Sequence, residues 1–444
     1  MTEKQTQPIE QTAQMILDGV KKRGIRDVKV VVSKARNVSV VYRKGMVDKV
    51  QESATKGITI HLYEDGRYST SSSNDFRTDA LEKFLDSAVA LTRAMEKDPF
   101  REITDPALYQ GRKTTDLKLF DPGVETFSQE RRNELARAAE AAAMSAAKEK
   151  AISAEASMET QSAQMVQLHS NGFEGAESGT QAWLFAEISL RDSGDRRPSG
   201  WDVMGSRFAA DFTDPDSVGQ KAVERASMKL NTRKVDTRKC PMIVENRAVA
   251  RLLGGLMSAT SGRALQQKRS FLEAYEGKEI ASGVFSVIDN PFIESGFGSR
   301  LFDSEGIAAK EIPVIENGVF RNFFVDTYYG KKLNRKPTTG GRSNLIVVPG
   351  EKTMAEMIAD VSDGILVRGF IGGNTNSTTG DFSLGVYGTL IENGQLTDAV
   401  SELNISGNHR EVWKRLSMVG NDPWRYSATR TPSLLFDEIQ FSGN

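Results

Sequence analysis

Few residues in this chain could carry covalent or metal chemistry. Histidine occurs at three positions only, His61, His169 and His409, and cysteine at one, Cys240. A zinc-binding helix sets two histidines at helical spacing around an acid. The three histidines lie far apart in sequence, and none belongs to a His-Glu-x-x-His motif. Each reads as a structural or surface histidine. Cys240 opens an apolar run beside Pro241, the setting of a small buried hydrophobe rather than a nucleophile. There is no Gly-x-Ser-x-Gly elbow and no Gly-x-x-x-x-Gly-Lys-Ser/Thr loop. The acid pairs Asp303/Glu305 and Asp437/Glu438 could serve acid–base chemistry. Alternation along a strand would turn the adjacent Asp437 and Glu438 to different faces, and both pairs are expected in solvated turns. The pairs Arg131-Arg132 and Lys331-Lys332 are expected on solvated helix faces. No aromatic residues interleave with them to make a nucleic-acid platform.

The candidate binding residues are backbone-rich instead. Gly372, Gly373 and Asn374, then Thr379, Gly380 and Asp381, flank a loop between two apolar runs. A phosphate cradle is one reading, although no helix follows to aim its N-terminus at an anion. A structural turn is a second. The third is a wall of bare backbone on which an extended peptide could add as a strand, because glycine lets another chain approach closely.

These residues need elements to hold them. Residues 9–22 carry Ile9, Ala13, Ile16, Leu17 and Val20 on one helical face. The period then becomes two at Val28, Val30, Val32, at Val38, Val40, Tyr42 and at Ile58, Ile60, Leu62. Turns at Lys44-Gly45 and Asp65-Gly66 make residues 26–72 an antiparallel, half-buried sheet. A second helix follows with Thr78 as its cap and Leu81, Phe84, Leu85, Ala88 and Leu91 inward. Residues 96–127, with three prolines, read as a connector. Ser128 caps an alanine-rich helix to about Lys150. Strands follow at 151–169, 181–191 and 199–210, and a helix at about 215–230. Near residue 234 the character changes. Glycine becomes frequent, short strands multiply, and Ile315-Glu316-Asn317-Gly318 and Ile391-Glu392-Asn393-Gly394 mark two hairpins. Thr353 and Glu356 form a capping box.

At 444 residues the chain is too long for one ordinary core. It is 39% hydrophobic and 26% charged, with 58 basic and 59 acidic residues, an ordinary globular balance that points to no nucleic-acid or membrane partner. One cysteine allows no internal disulfide, and neither a signal peptide nor a membrane-crossing run is read. Together these predict a cytoplasmic protein.

Three words and their order carry a family resemblance: Phe302-Asp303-Ser304-Glu305-Gly306, Thr379-Gly380-Asp381-Phe382-Ser383 and Ser417-Met418-Val419-Gly420-Asn421-Asp422. With the two Ile-Glu-Asn-Gly turns around them, the chain resembles the TldD/PmbA family over nearly its whole length. That family is described both as a modulator of DNA gyrase and as a two-subunit metallopeptidase. The resemblance implies an α+β fold with an N-terminal α/β region, an antiparallel sheet and flanking helices, and a β-rich barrel- or sandwich-like C-terminal domain. With the composition shift it gives parts at 1–96, 97–233 and 234–444. It implies a heterodimer in which one subunit type binds zinc through a His-Glu-x-x-x-His helix and a late cysteine. The corresponding helix here, about Arg247 to Gly262, has no histidine, glutamate or cysteine, and the segment after Asp422 has no cysteine. The chain therefore resembles the PmbA or TldE type of subunit. The expectation is no catalytic residue and no cofactor of its own, zinc in a TldD-type partner, and unfolded peptide as the shared substrate. A homodimer that binds peptide or ligand without catalysis, and a gyrase modulator, are the alternatives.

Overall fold

The computed structural model describes residues 8–443. Its first half is organised by one antiparallel sheet. Helix α1 (Ile9–Lys22) leads into β1 (Asp27–Arg43), β2 (Met46–Glu64) and β3 (Arg67–Ser73), and α2 (Thr78–Ala94) closes that stretch. After a short turn of helix, α3 (Pro122–Glu125), come α4 (Gln129–Ala147), β4 (Ala151–His169), β5 (Glu174–Leu190), β6 (Ser199–Ser206) and α5 (Pro215–Ser227). The strand order is β3-β2-β1-β4-β5-β6. Both Lys44-Gly45 and Asp65-Gly66 have positive φ, as two-residue hairpin turns require.

Residues 1–96 and 97–233 share this sheet. β1 pairs with β2 on one side and, from Lys29↔His169 to Arg43↔Glu155, with β4 on the other. Val28, Val30, Val32, Val38, Val40 and Tyr42 all point to one face, where α1 and α2 cover one part and α4 and α5 the other. The opposite face carries Lys29, His61 and His169 side by side.

Several sequence expectations shift locally. Thr78 is the first helical residue rather than the cap, and the Asp75 carboxylate accepts the preceding Arg77 N–H at 3.0 Å. Leu91 is exposed, and Thr92 takes the inward position with its hydroxyl on Ala88 O and Ser69 Oγ. That follows the helical phase set by Leu81, Leu85, Ala88 and Val89. β5 begins at Glu174, earlier than its polar, glycine-containing start suggests, because β4 templates it from Leu168↔Glu174 onward. Arg132 is not on a solvated face: it is buried, and its Nε donates to Thr160 Oγ1 at 3.0 Å.

The second half opens with β7 (Arg238–Val244), α6 (Asn246–Ser258) and α7 (Gly262–Gln266). There follow β8 (Val287–Asp289), β9 (Ile312–Glu316), β10 (Val319–Phe320), α8 (Thr327–Leu333), β11 (Leu345–Val347) and α9 (Met354–Ala359). The chain finishes with β12 (Asp363–Thr375), β13 (Asp381–Glu392), β14 (Gln395–Asn408), α10 (His409–Val412), β15 (Leu416–Val419), β16 (Thr429–Arg430) and β17 (Leu434–Ser442). Strands β8 to β11 and β16 make a small five-stranded sheet. Strands β14-β13-β12-β7-β17 close on themselves through β14–β17 pairs at Asn404↔Ser442 and Ile405↔Phe441, which makes a five-stranded barrel. Helix α6 seals this core with Val249, Leu252, Leu253, Leu256 and Met257.

The Asp303/Glu305 pair is not a solvated turn. Asp303 is buried, with Oδ1 accepting the backbone N–H of Glu305 and Ile307 and Oδ2 accepting Gly340 N–H and Thr339 Oγ1. Glu305 accepts both the backbone N–H and the hydroxyl of Thr327, while burial pushes its pKa up. Lys29 donates to Ser304 O at 3.0 Å across to the first sheet. This segment is a joint between the halves. The Asp437/Glu438 pair is exposed, but it lies within β17, where the pairing with β7 is broken between Phe436 and Ile439, and not in a turn.

Candidate functional site

The six candidate residues lie together on one hairpin. Gly372, Gly373 and Asn374 belong to the end of β12, Thr379 and Gly380 to the connecting turn, and Asp381 begins β13. A bulge between Ile371 and Asn374 puts Gly372 and Gly373 at φ of 61° and 83°. All six are exposed except Gly380. Thr379 Oγ1 donates to Asp381 Oδ2 at 2.6 Å, and Asn408 Nδ2 donates to Asp381 Oδ1 and Thr379 O. The Thr379 hydroxyl, then Asn408, hold the Asp381 carboxyl below its ordinary range. Asp381 is thus an ionised fastener of the turn.

One edge of β12 is open. On the β7 side, pairing covers only Ile365↔Met242 to Val367↔Val244, because the chain then leaves for α6. Pairing with β13 continues to Thr375↔Phe382. From Arg368 to Thr375 the strand therefore has a neighbouring strand on one side only, the geometry on which an extended segment can add. Arg251 Nη2 reaches over this edge to Gly373 O at 3.2 Å and Gly372 O at 3.4 Å. Sequence reasoning missed Arg251. Its spacing from Arg247 on the outer helical face was the available signal.

Helix α6 runs close to the turn end of the hairpin. A Cβ on Gly255 would stand 2.3 Å from His409 Nε2 and 3.0 Å from Thr375 Oγ1. His409 is fully buried, and its backbone N–H donates to Gly380 O at 2.8 Å. Trp413 Nε1–H donates to its Nδ1 at 3.1 Å, so the ring proton sits on Nε2, which has no partner among the described residues. Burial lowers its pKa to about 4, and the ring stays neutral. The other histidines are also buried or partly buried and held neutral. The buried Cys240 thiol is raised to about 11, again by burial.

The residues present do not fit a zinc ion. On α6 the positions turned away from the barrel core are Arg247, whose side chain is only 8% exposed, and the exposed Arg251, Gly254 and Ser258, one face at helical spacing, and none is a zinc ligand of the ordinary kind. Among the described residues no group of three or more histidines, cysteines or acids is placed to hold a metal. Among the same residues no helix is long and apolar enough to cross a membrane.

Comparison with known proteins finds three family models in order along the chain. These are PmbA/TldA metallopeptidase domain 1 over residues 28–92, the central domain over 122–230 and the C-terminal domain over 237–443. The curated protein "Metalloprotease PmbA" of Escherichia coli O157:H7 is 29% identical over 93% of this chain and 92% of its own length. A crystal structure from Bacteroides thetaiotaomicron, described as a candidate modulator of DNA gyrase, is 38% identical, covers 99% of this chain and 100% of its own, and has a TM-score of 0.95. The structure of TldE from Thermococcus kodakarensis shares the fold at a TM-score of 0.87 and 20% identity, over 97% of this chain and 99% of its own.

Proposed function

This chain belongs to the PmbA/TldD metallopeptidase family, and from that premise we propose that it is the non-catalytic subunit of a two-subunit zinc peptidase. It pairs with a TldD-type homologue that supplies the zinc, and it contributes part of the chamber that holds unfolded or extended peptide. The observation that carries the reading is one juxtaposition. The helix that resembles the family's ligand helix presents Arg251, Gly254 and Ser258 outward, directly beside the open edge of β12. Such a site can hold an extended backbone and cannot activate water on a metal. Gly372, Gly373 and Asn374 form the bare stretch of that edge, and Thr379, Gly380 and Asp381 fix the turn that supports it. A cytoplasmic location goes with this reading, since the single buried cysteine needs no oxidising compartment.

The test is hydrolysis of an unstructured peptide with zinc, by the chain alone and mixed with a zinc-bearing homologue. Turnover in the mixture only is the expected result. Equal turnover by the chain alone overturns the proposal, and so does the absence of both complex and turnover in the mixture. That last outcome favours a homodimer that binds without catalysis.

A further inference from the structure

Where the end of α5 meets α6, β6 and β12, the side chains of Arg225, Lys229, Arg247, Arg251 and Arg368 line a cavity of about 310 Å³. No acid lines it. Two buried carboxylates stand behind these cations. Glu245 takes Arg225 Nη2 at 2.5 Å and lies 3.6 Å from Arg368 Nη1, and Asp202 pairs with Arg247. Glu187 is a third acid, acting on Lys229 from further away. Lys229 Nζ is otherwise held by Ser199 O at 2.7 Å, and Arg251, among the described residues, by the carbonyls of Gly372 and Gly373. Arg247 is clamped between the rings of Trp201 and Trp424, at 4.2 and 4.4 Å from their centroids. Its position is therefore fixed in advance of any ligand.

Arg368 is the telling residue. Its side chain is 9% exposed, and among the described residues neither its Nε nor the neighbouring Glu245 Oε2 has a hydrogen-bond partner. A buried guanidinium N–H left bare is costly, and in a native fold such a donor asks for a partner. For Arg368, Arg247 and Lys229 alike, burial is the largest influence and outweighs the nearby acids. An anion in the cavity would compensate that charge.

Arg368, Gly369 and Phe370 belong both to the wall of the cavity and to the start of the open edge of β12. A peptide added along that edge must end, or pass, at the cavity. Running parallel to β12, its N-terminal ammonium would meet the cations and be repelled. Running antiparallel, its C-terminal carboxylate would arrive there. We infer that this cavity receives the C-terminal carboxylate of an extended peptide, which thereby lies antiparallel to β12 along Arg368–Thr375. The inference rests on the peptide-holding reading above and adds to it a polarity and an anchoring group. Met228 and Phe370 give the terminal side chain an apolar wall.

The test is fluorescence anisotropy with the intact chain and one unstructured peptide, labelled at its N-terminus and made with a free C-terminal carboxylate or a C-terminal amide. The acid is expected to bind at least about tenfold tighter than the amide, as loss of a charge-assisted hydrogen bond demands. R368Q should erase that difference, and R368K should restore part of it. Equal affinity of acid and amide for the unmodified chain overturns the proposal without need of any variant. So does no measurable binding of either peptide, or a difference that survives in folded R368Q. Inorganic phosphate is the competing probe. If it binds as tightly as the acid peptide, the cavity is a free-anion site and the proposal fails. Hydrolysis by the mixed subunits is a separate readout, so failure here leaves the partner-subunit reading standing or falling by its own experiment.

Discussion

Gly255 sets how closely α6 can approach the barrel, and His409 is what it approaches. A methyl group at Gly255 would meet His409 Nε2 at 2.3 Å, inside any real contact, so the fully buried ring or the helix would have to shift. Gly255→Ala should lower stability by about 1–3 kcal/mol, as overpacking does; urea denaturation would check it, and an unchanged midpoint would refute it. His409 also makes a pH statement. Its folded pKa of about 4 lies below the unfolded value near 6.5, so the unfolded chain takes up the proton first. The stability it contributes is full above pH 6.5 and is lost as pH falls toward 4. The melting temperature of the native chain should fall over that window more steeply than that of His409→Gln. Parallel profiles would show that the ring does not titrate as described. At this scale the sequence was only partly legible. The hairpin residues announce themselves by glycine content, and the three histidines and Cys240 by their isolation. Arg225, Arg247 and Arg368 do not, because their shared cavity assembles residues from Gly200 to Tyr387 that no spacing rule connects.

At the scale of elements, strong local signals survive. Ile9–Lys22, the strands from Asp27 to Ser73 and the Thr353/Glu356 capping box form where periodicity and turn chemistry put them. Both Asn-Gly hairpins carry the positive φ that their turns need. Ser128 caps α4 through its Oγ, which accepts Arg131 N–H at 3.1 Å. Ser128→Ala should cost about 1 kcal/mol, seen as a lower midpoint in chemical denaturation; a Thr replacement should cost less. The hairpin that bears the candidate site depends on Gly373 in a different way. Its φ is 83°, and a Cβ there would lie 2.2 Å from Ser383 O. Gly373→Ala should therefore disturb the bulge itself and weaken peptide binding along β12, with amide exchange in the hairpin as the local readout. Unaltered exchange would mean that the bulge tolerates a side chain. What sequence could not supply here was pairing context. The polar start of β5 is a strand only because β4 lies beside it.

At the scale of the molecule, a few buried side chains clasp the two halves. Arg207 Nη2 donates to Gly296 O at 2.9 Å and Phe297 O at 3.3 Å, while Nη1 donates to Thr180 O at 3.1 Å. Arg207→Met would remove these donors, leaving Gly296 O with the Ser299 N–H at 3.2 Å, at a cost of roughly 2–4 kcal/mol. Calorimetry should show a lower transition, and an unchanged one would mean that the halves are held elsewhere. The class of the fold was readable from the change in period and glycine content near residue 234. That residues before and after the connector share one sheet was not, because the β1–β4 pairing joins Lys29 to His169 across a long interval that carries no local trace.

The barrel has a temporal side as well. β7 forms its wall with β17, Cys240 against Ile439 and Arg238 against Phe441, and β14 meets β17 at the same end. On the ribosome, β7 must wait for residues 434–442 before its second neighbour exists. Until then a row of unpaired backbone groups on an apolar strand stays accessible to chaperones and to like chains. A message broken shortly before this point would yield a product with nearly all its elements and no closed core, the kind of species that a cell removes by proteolysis.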